Sequence, residues 1–152
     1  MFETGSVAPD VVLEDTTGRV VRLSEFRGKD NVLLYFMRST TCPVCNSHVK
    51  DLAARAAEFA AADVRVLIAV PEGRAEAKAW RTKRGLPLRV VTGRSGTPHE
   101  TFGLSKKMLQ QSGSVLIDRD GVVRHVHAAT MPTSAYDRKG IAKAVEELAR
   151  VH

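Results

Sequence analysis

The sequence predicts an α/β protein with a central mixed β-sheet, helices on both faces of that sheet, and an amino-terminal β-hairpin. Apolar runs of strand length alternate with amphipathic runs of helix length, which is the pattern of a sheet covered on both sides. The only two cysteines, Cys42 and Cys45, stand where an apolar strand meets a long amphipathic helix. A right-handed crossover places that junction at the carboxyl edge of the sheet, where open α/β sheets hold their functional sites.

Length and composition are those of one globular domain. The chain has 152 residues, of which 43% are hydrophobic and 26% charged, so we expect residues 1–152 to form a single domain. Residues 1–10 show no apolar signal segment, and no apolar run approaches the ~20 residues of a membrane helix. We therefore predict a cytoplasmic protein with no membrane partner.

The net charge of +6 raises the question of a nucleic-acid partner. The basic residues are scattered along the chain, and aromatic residues make up only 5% of it, which disfavours a base-stacking platform. We predict a solvated basic surface and no nucleic-acid binding.

The amino-terminal part is predicted to form a hairpin, a helical turn and a central strand. Residues 11–13 and 19–23 flank a turn at Asp15-Thr16-Thr17-Gly18, which is typical of a hairpin. Residues 23–26 begin a short helical turn. The continuous apolar run 32–37 is typical of a strand buried on both faces.

The remaining elements alternate between helix and strand. They are a helix from Cys42 to about Ala62, a strand at 64–70, a helix at 74–84, a short strand at 88–91, a helical turn at 99–102, a hairpin of 115–117 with 122–127, and a closing helix at 137–151. Apolar residues recur every three or four positions in the helix after Cys42, so one of its faces is predicted to be buried.

The segment Cys42-Pro43-Val44-Cys45 is interpreted as a redox-active dithiol. A thiol on the first turn of a helix faces unpaired backbone N–H groups and the positive end of the helix dipole, and both favour the thiolate. Cys42 is nearer the helix start and is therefore the predicted nucleophile. Cys45 lies one turn away on the same face, where it can close an internal disulfide.

These cysteines have two other interpretations. Both can be small buried apolar residues, since free cysteine packs well. Both can also be metal ligands together with His48, His125 and His127, but a structural zinc site needs four ligands, and the fourth would come from far away in sequence. We predict a redox pair and no metal site, since alternating histidines on an outer hairpin, such as His125 and His127, usually face solvent.

Two aromatic residues are predicted to have packing roles. Phe26 is expected to belong to the core, and Tyr35 is expected to be a packing residue instead of a substrate platform.

Hydroxyl side chains precede the first cysteine. Ser39, Thr40 and Thr41 can donate hydrogen bonds to a thiolate or to a peroxide, and they can equally cap the following helix. The sequence leaves both interpretations open.

Several segments occur in the order typical of one family. They are Ala8-Pro9-Asp10, Leu23-Ser24-Glu25-Phe26-Arg27-Gly28-Lys29, the strand and cysteine from Val32 to Cys42, Leu86-Pro87-Leu88, Phe102-Gly103-Leu104 and Val115-Leu116-Ile117-Asp118-Arg119-Asp120-Gly121. In this order, over about 120 residues, the chain resembles the peroxiredoxins of the alkyl hydroperoxide reductase/thiol-specific antioxidant (redoxin) type, in the thioredoxin superfamily. The resemblance implies a thioredoxin-like fold.

The resemblance also implies the roles of particular residues. Cys42 would be the peroxidatic cysteine and Cys45 the resolving cysteine. Ser39 takes the place of a threonine that helps hold the peroxide, and Arg38 matches an arginine that some related proteins carry. We therefore expect Arg38, Ser39, Thr40 and Thr41 to bind the substrate.

The chain also departs from the family pattern. Peroxiredoxins usually place an arginine nine residues before the glycine of the late hairpin turn, and Ser112 stands there. Thioredoxin-like reductases have a cis-proline at or beside this position, which is also absent. Arg38, Arg119 and Arg124 are the candidates for supplying the missing charge.

The predicted function is a thiol peroxidase that reduces hydrogen peroxide or organic hydroperoxides. It would act through a Cys42 sulfenic acid and a Cys42–Cys45 disulfide, without a cofactor, and a thioredoxin-like or low-molecular-weight thiol would reduce it. A homodimer is the candidate assembly. The alternative is a thioredoxin-like thiol–disulfide oxidoreductase, and a third class is a redox-sensing or metal-binding module.

Overall fold

The computed structural model describes residues 3–93, 97–104, 110–129 and 136–151. Its strands are β1 (Val12–Asp15), β2 (Val20–Arg22), β3 (Asn31–Phe36), β4 (Val64–Ala69), β5 (Arg89–Gly93), β6 (Ser112–Ile117) and β7 (Val123–Ala129). Its helices are α1 (Pro43–Ala54), α2 (Ala56–Ala61), α3 (Arg74–Arg84), α4 (Pro98–Thr101) and α5 (Arg138–Val151), with a 3₁₀ helix at Leu23–Phe26. The order of strands and helices agrees with the sequence prediction.

The strands form one mixed sheet in the order β2-β1-β5-β4-β3-β6-β7. Strands β3, β4 and β5 are parallel, and the other neighbours are antiparallel. Both parallel connections step in the same direction along the sheet. Right-handed crossovers therefore place α1, α2 and α3 on one face.

The central strand β3 has all six residues buried, as its apolar run predicts. Leu33 and Tyr35 point to the face covered by α1, α2, α3 and α5. Leu34 and Phe36 point to the opposite face, which the amino-terminal segment and the residues around Phe102 cover. The site of interest lies on the first of these faces, where β3 ends.

The structure corrects the helix predicted to run from Cys42 to about Ala62. That segment is two helices, α1 and α2, which meet at Arg55 with φ −99° and ψ 11°. Arg55 is only 8% exposed and donates to Glu58 and to the hydroxyl of Tyr136. The inward turn of this arginine coincides with the break in the helix.

Two smaller expectations are also modified. Phe26 is half-buried at the edge of one core instead of within it. His125 and His127, expected to face solvent, are half-buried, and His125 lies 3.6 Å from the carboxylate of Asp137 at the start of α5. Helix α5 packs against β7, and Gly140 in its first turn also lies close to the His125 ring.

No helix within the described ranges combines the length and the apolar character needed to cross a lipid bilayer.

Candidate functional site

The cysteines lie where the loop after β3 enters α1. Cys42 is the N-cap residue of α1, and its Sγ accepts a hydrogen bond from the backbone N–H of Cys45 at 3.3 Å. Pro43 occupies the first helical turn, where its missing N–H costs little. The sulfur of Cys42 thus takes the place of the oxygen that usually caps a helix.

The Cys42 thiol has a pKa below its ordinary value. Burial by itself would raise the pKa, but hydrogen bonds from the side chain and backbone N–H of Cys45, together with the Arg38 side chain, outweigh it. The positive charge of Arg38 adds to this effect. Because each contact is stronger when the sulfur is negative, the site favours the Cys42 thiolate.

The Cys45 thiol is shifted in the opposite direction. It is fully buried, and burial raises its pKa, as do the hydrogen bond and the negative charge of Cys42. Both cysteines are free thiols. The site therefore pairs a more acidic thiol at the helix start with a less acidic thiol one turn away.

Of the three arginines that sequence reasoning offered as a source of positive charge, only Arg38 reaches the cysteines. Arg119 pairs with Asp63 at 3.8 Å, and Arg124 donates to Asp118 at 2.6 Å. Both of those pairs lie at the opposite edge of the sheet, where β4 begins and β6 ends.

Ser112 lies beside the cysteine loop. It is the first residue of β6, next to Gly113, which pairs with Phe36 at the end of β3. Its side chain is buried, and its Oγ has no hydrogen-bond partner within the described ranges. This position therefore holds a small hydroxyl where the family usually has a cation.

The three loop hydroxyls form two separate contacts. The Oγ of Ser39 lies 3.1 Å from the Oγ1 of Thr41, on the exposed side of the loop. Thr40 donates its backbone N–H and its hydroxyl to one oxygen of Glu72, at 2.9 and 3.0 Å. Glu72 is a contact that sequence reasoning missed, although it follows β4 at the same sheet edge.

Asn46 is a second missed residue. Its side-chain amide donates to the carbonyls of Thr40 and Cys42 at 2.9 and 2.8 Å, and it accepts from Trp80 Nε1 at 2.9 Å. Asn46 thus holds the loop onto α1 and joins both to α3. A polar residue on the buried face of an amphipathic helix is the sequence signal that marks it.

The other end of the loop is held by His99. Its Nε2 lies 2.6 Å from the Met37 carbonyl, and burial lowers the pKa of His99 to about 4. A neutral ring in this position donates to the carbonyl, so His99 supports the loop without carrying charge.

Behind Cys45 lies a pair that sequence reasoning treated as packing or as a metal ligand. The Tyr35 hydroxyl lies 2.7 Å from the Nδ1 of His48 and also hydrogen-bonds to the Cys45 side chain. Tyr35 is fully buried, as expected, but its hydroxyl faces the dithiol. Within the part of the chain that the structure describes, no group of three or more His, Cys, Asp and Glu side chains is arranged to hold a metal ion.

Comparisons with known proteins assign the chain to a family. The sequence profile described as the AhpC/TSA family matches residues 4–126. The chain is 28% identical over 130 residues to the chloroplastic peroxiredoxin Q of Triticum aestivum, covering 81% of this chain and 58% of that protein. It is 29% identical over 128 residues to the thiol-disulfide oxidoreductase ResA of Geobacillus thermodenitrificans, covering 84% and 70%.

A solved structure supports the fold. The crystal structure of peroxidoxin BcpB from Mycobacterium tuberculosis superposes with a TM-score of 0.83 at 22% identity, over 100% of this chain and 99% of that chain. The thioredoxin-like fold implied by the sequence is thereby confirmed. Since the family profile covers most of the chain, the protein belongs to the AhpC/TSA family.

Proposed function

We propose that this protein is a thiol peroxidase that reduces hydrogen peroxide or an organic hydroperoxide. The Cys42 thiolate attacks one peroxide oxygen and breaks the O–O bond, which gives a Cys42 sulfenic acid and an alkoxide or hydroxide that takes up a proton from solvent and leaves as alcohol or water. Cys45 then attacks the Cys42 sulfur, forming the Cys42–Cys45 disulfide and releasing water. Two electrons from an external dithiol, or from two small thiols, restore the reduced pair.

The observation that carries the proposal is the environment of Cys42. Its sulfur caps a helix, accepts the Cys45 N–H at 3.3 Å and is stabilised by Arg38, so that its pKa is lowered. The thiolate is the form that attacks peroxides, and a cation beside it also stabilises the oxygen that leaves. Arg38 thus supports both the nucleophile and the leaving group.

The burial of Cys42 favours a small oxidant. The residue is only 2% exposed, so a peroxide needs a smaller opening of the loop to reach its sulfur than a protein disulfide does. We propose that Arg38 and the hydroxyl loop, Ser39, Thr40 and Thr41, contact the peroxide. Thr40 is bound to Glu72, so Ser39 is the hydroxyl that we expect to turn toward the substrate.

A second candidate function is thiol–disulfide exchange. The two cysteines are a single helical turn apart, and Ser112 stands where the family has an arginine. The likeness to a protein named thiol-disulfide oxidoreductase points in the same direction. In that case Cys42 would attack a disulfide sulfur instead of a peroxide oxygen.

The test is a stopped-flow reaction of the reduced protein with hydrogen peroxide and with an organic hydroperoxide. Trp80 is the only tryptophan, and Asn46 links it to the Cys42 carbonyl, so its fluorescence is a natural reporter. We expect loss of both thiols and a mass decrease of two hydrogens. The rate should exceed that of a free thiolate at least about tenfold, which is ~1.4 kcal/mol of barrier.

Two serine variants separate the steps. Cys42→Ser should abolish peroxide consumption, and Cys45→Ser should accumulate one sulfenic acid per chain, trapped by dimedone and read by mass. The peroxidase assignment would be wrong if the protein reacted with peroxide no faster than a free thiolate does and rapidly reduced the disulfides of insulin. The protein would then be a thiol–disulfide exchange enzyme.

Three further properties remain proposals. We propose a thioredoxin-like or low-molecular-weight thiol as the reductant, because either can deliver two electrons to a disulfide. We propose the cytoplasm as the location, since thiols are kept reduced there. A homodimer is the proposed assembly, and light scattering at micromolar concentration tests it.

A further inference from the structure

Tyr35 connects the buried thiol of the dithiol pair to a histidine. Its hydroxyl hydrogen-bonds to the Cys45 side chain and lies 2.7 Å from the Nδ1 of His48. The ring is completely buried on β3, beneath α1. A phenol in this position stays protonated, because burial raises the pKa of Tyr35, and the nearby thiols raise it further.

His48 links this buried hydroxyl to the outside. Its side chain is half-buried on α1, so the ring retains contact with solvent. Burial lowers the pKa of His48, while the nearby carboxylate of Asp51 acts in the opposite direction. The imidazole is therefore neutral near pH 7 and can take up a proton on Nδ1.

The other groups packed around His48 bond to one another, and the Nδ1 of His48 interacts with Tyr35. The ring of Tyr136, ahead of α5, lies 5.0 Å away, and its hydroxyl donates to Asp51. Asp51 also accepts from Arg138 of α5 and lies 4.0 Å from Arg55. Two arginines thus lie beside the Asp51 carboxylate, and within the described residues the Tyr136 hydroxyl bonds to Asp51 and Arg55 and to neither cysteine.

Disulfide closure needs a path for the Cys45 proton, because the buried Cys45 thiol does not readily lose that proton by itself. Cys45 is fully buried and holds its proton tightly. Only its thiolate can attack the Cys42 sulfur. The proton must leave through a neighbouring group, since solvent does not reach the sulfur.

We propose that Tyr35 and His48 form a proton relay that activates Cys45 for disulfide closure. This inference rests on the proposed function and extends it to the resolving step. Once Cys42 has become a sulfenic acid, the Cys45 S–H no longer donates to a Cys42 thiolate, and it passes its proton to the Tyr35 oxygen while the Tyr35 O–H passes its proton to His48 Nδ1. The Cys45 thiolate attacks the Cys42 sulfenic sulfur, and hydroxide leaves and takes up a proton as water. His48 then returns its proton to solvent.

The relay predicts a specific pH profile for closure. In the natural protein the closure rate should be flat at neutral and alkaline pH and should fall only as His48 becomes protonated. In Tyr35→Phe the thiol must lose its proton directly, so the rate should rise about tenfold per pH unit over pH 6–9. At pH 7 the variant should close at least about tenfold more slowly.

The experiment follows closure separately from the first chemical step. Sulfenic acid formation is read by dimedone trapping, and closure is read by loss of the second thiol. Tyr35→Phe and His48→Ala should form the sulfenic acid at the natural rate but close slowly. Tyr136→Phe is the matched control, since it removes a tyrosine hydroxyl from the same cluster without touching either cysteine.

Added imidazole distinguishes a relay from loss of packing. It should restore closure in His48→Ala and should have no effect on Tyr35→Phe. A Tyr35→Phe protein with a flat pH profile and a closure rate within about twofold of the natural one would overturn the relay.

A second oxidant allows the relay to be tested independently of the reaction with peroxide. Oxidised glutathione forms a mixed disulfide with Cys42, and Cys45 then closes the same bond and expels glutathione thiolate. A relay defect seen with glutathione but no sulfenic acid seen with peroxide would refute the peroxidase while supporting the relay. Normal closure by both variants with both oxidants would refute the relay alone.

Discussion

The pKa values of Cys42 and Cys45, which are three positions apart, are shifted in opposite directions because their surroundings differ. Although burial opposes it, hydrogen bonds from the side chain and backbone N–H of Cys45, together with Arg38, lower the pKa of Cys42. Cys45 is surrounded by apolar side chains and by the Cys42 sulfur, and its pKa is raised. In the proposed function, the more acidic thiol attacks the peroxide and the other thiol closes the disulfide.

Replacing Arg38 should weaken the nucleophile without unfolding the protein. In Arg38→Met the pKa of Cys42 should rise, because a cation that stabilises the thiolate is lost. Loss of one charged hydrogen bond, worth roughly 1.5 kcal/mol, should slow the reaction with peroxide at pH 7 about tenfold. Thiolate absorbance at 240 nm against pH measures the acidity, and stopped flow measures the rate.

Arg65→Met is the matched control for that substitution. Arg65 is 68% exposed and pairs with Asp30 at the opposite edge of the sheet, so its loss should leave both measurements unchanged. If the titration of Cys42 is unchanged in Arg38→Met, then Arg38 does not stabilise the Cys42 thiolate.

At the level of elements, α1 is held to its loop and to α3 by one amide. Asn46 donates to the carbonyls of Thr40 and Cys42 and accepts from the indole of Trp80, which is 8% exposed. Buried polar groups without partners are costly, so the three bonds stabilise one another's geometry. The position of Cys42 therefore depends on a side chain one turn into the helix.

Asn46→Ala should reduce the free energy of unfolding by about 2 kcal/mol, because it leaves the buried indole N–H and the Thr40 carbonyl without partners. Urea unfolding measures the change. In a Trp80→Phe background the same substitution should cost less, since the orphaned indole donor is already gone.

Equal costs in the two backgrounds would show that Asn46 and Trp80 are not coupled. Unfolding should be followed by circular dichroism in all four proteins, because Trp80 provides the only indole fluorescence.

Across the whole molecule, the amino-terminal hairpin is joined to the sheet through β1 and β5. Asp15 ends β1, and one of its carboxylate oxygens accepts from Thr17 N, Thr17 Oγ1 and Arg19 N. The other accepts from Arg89 of β5 at 3.0 Å. Burial alone would raise the pKa of Asp15, but these bonds outweigh it and lower the pKa to about 2.

The sign of the resulting pH dependence follows from that shift. The pKa of Asp15 is lower in the folded protein than in the unfolded chain, so its stabilisation is complete above the unfolded value of 3.8. It disappears as the pH falls through about 2. At neutral pH the contribution is about 2 kcal/mol.

Asp15→Asn should therefore destabilise the protein by about 2 kcal/mol at pH 7 and by much less at pH 2. Urea unfolding at a series of pH values tests this. Asp120→Asn, which changes an exposed carboxylate in the late hairpin turn, should stay within about 0.5 kcal/mol of the natural protein throughout. A constant difference between Asp15→Asn and the natural protein across the pH range would contradict the assignment.

Much of the architecture follows from local patterns. The apolar run that becomes β3, the hairpin around Asp15 and the amphipathic helices are each encoded within a few neighbouring residues, so periodicity and turn chemistry predict them. The position of Cys42 at a helix start is equally local, since Pro43 and the preceding strand mark it. The exception is Arg55, whose buried contacts with Tyr136 come from distant elements and accompany the break between α1 and α2.

Which side chains surround the dithiol was decided only by tertiary structure. The sequence did not distinguish among three arginines as the source of positive charge. The packing of the loop brings Arg38 to Cys42, while Arg119 and Arg124 form ion pairs at the opposite edge of the sheet. Glu72, Asn46 and Tyr35 reach the site from different elements.

The local sequence pattern predicts whether each element is a strand or a helix, because that choice is determined by neighbours along the chain. It predicts little about which polar atoms make contact between elements, because those contacts depend on distances between segments that are remote in sequence. Sequence by itself therefore determined the fold and the position of the two cysteines at the start of α1. Only the tertiary structure decided that Arg38 helps to lower the pKa of one thiol, while Tyr35 lies beside the other and contacts His48.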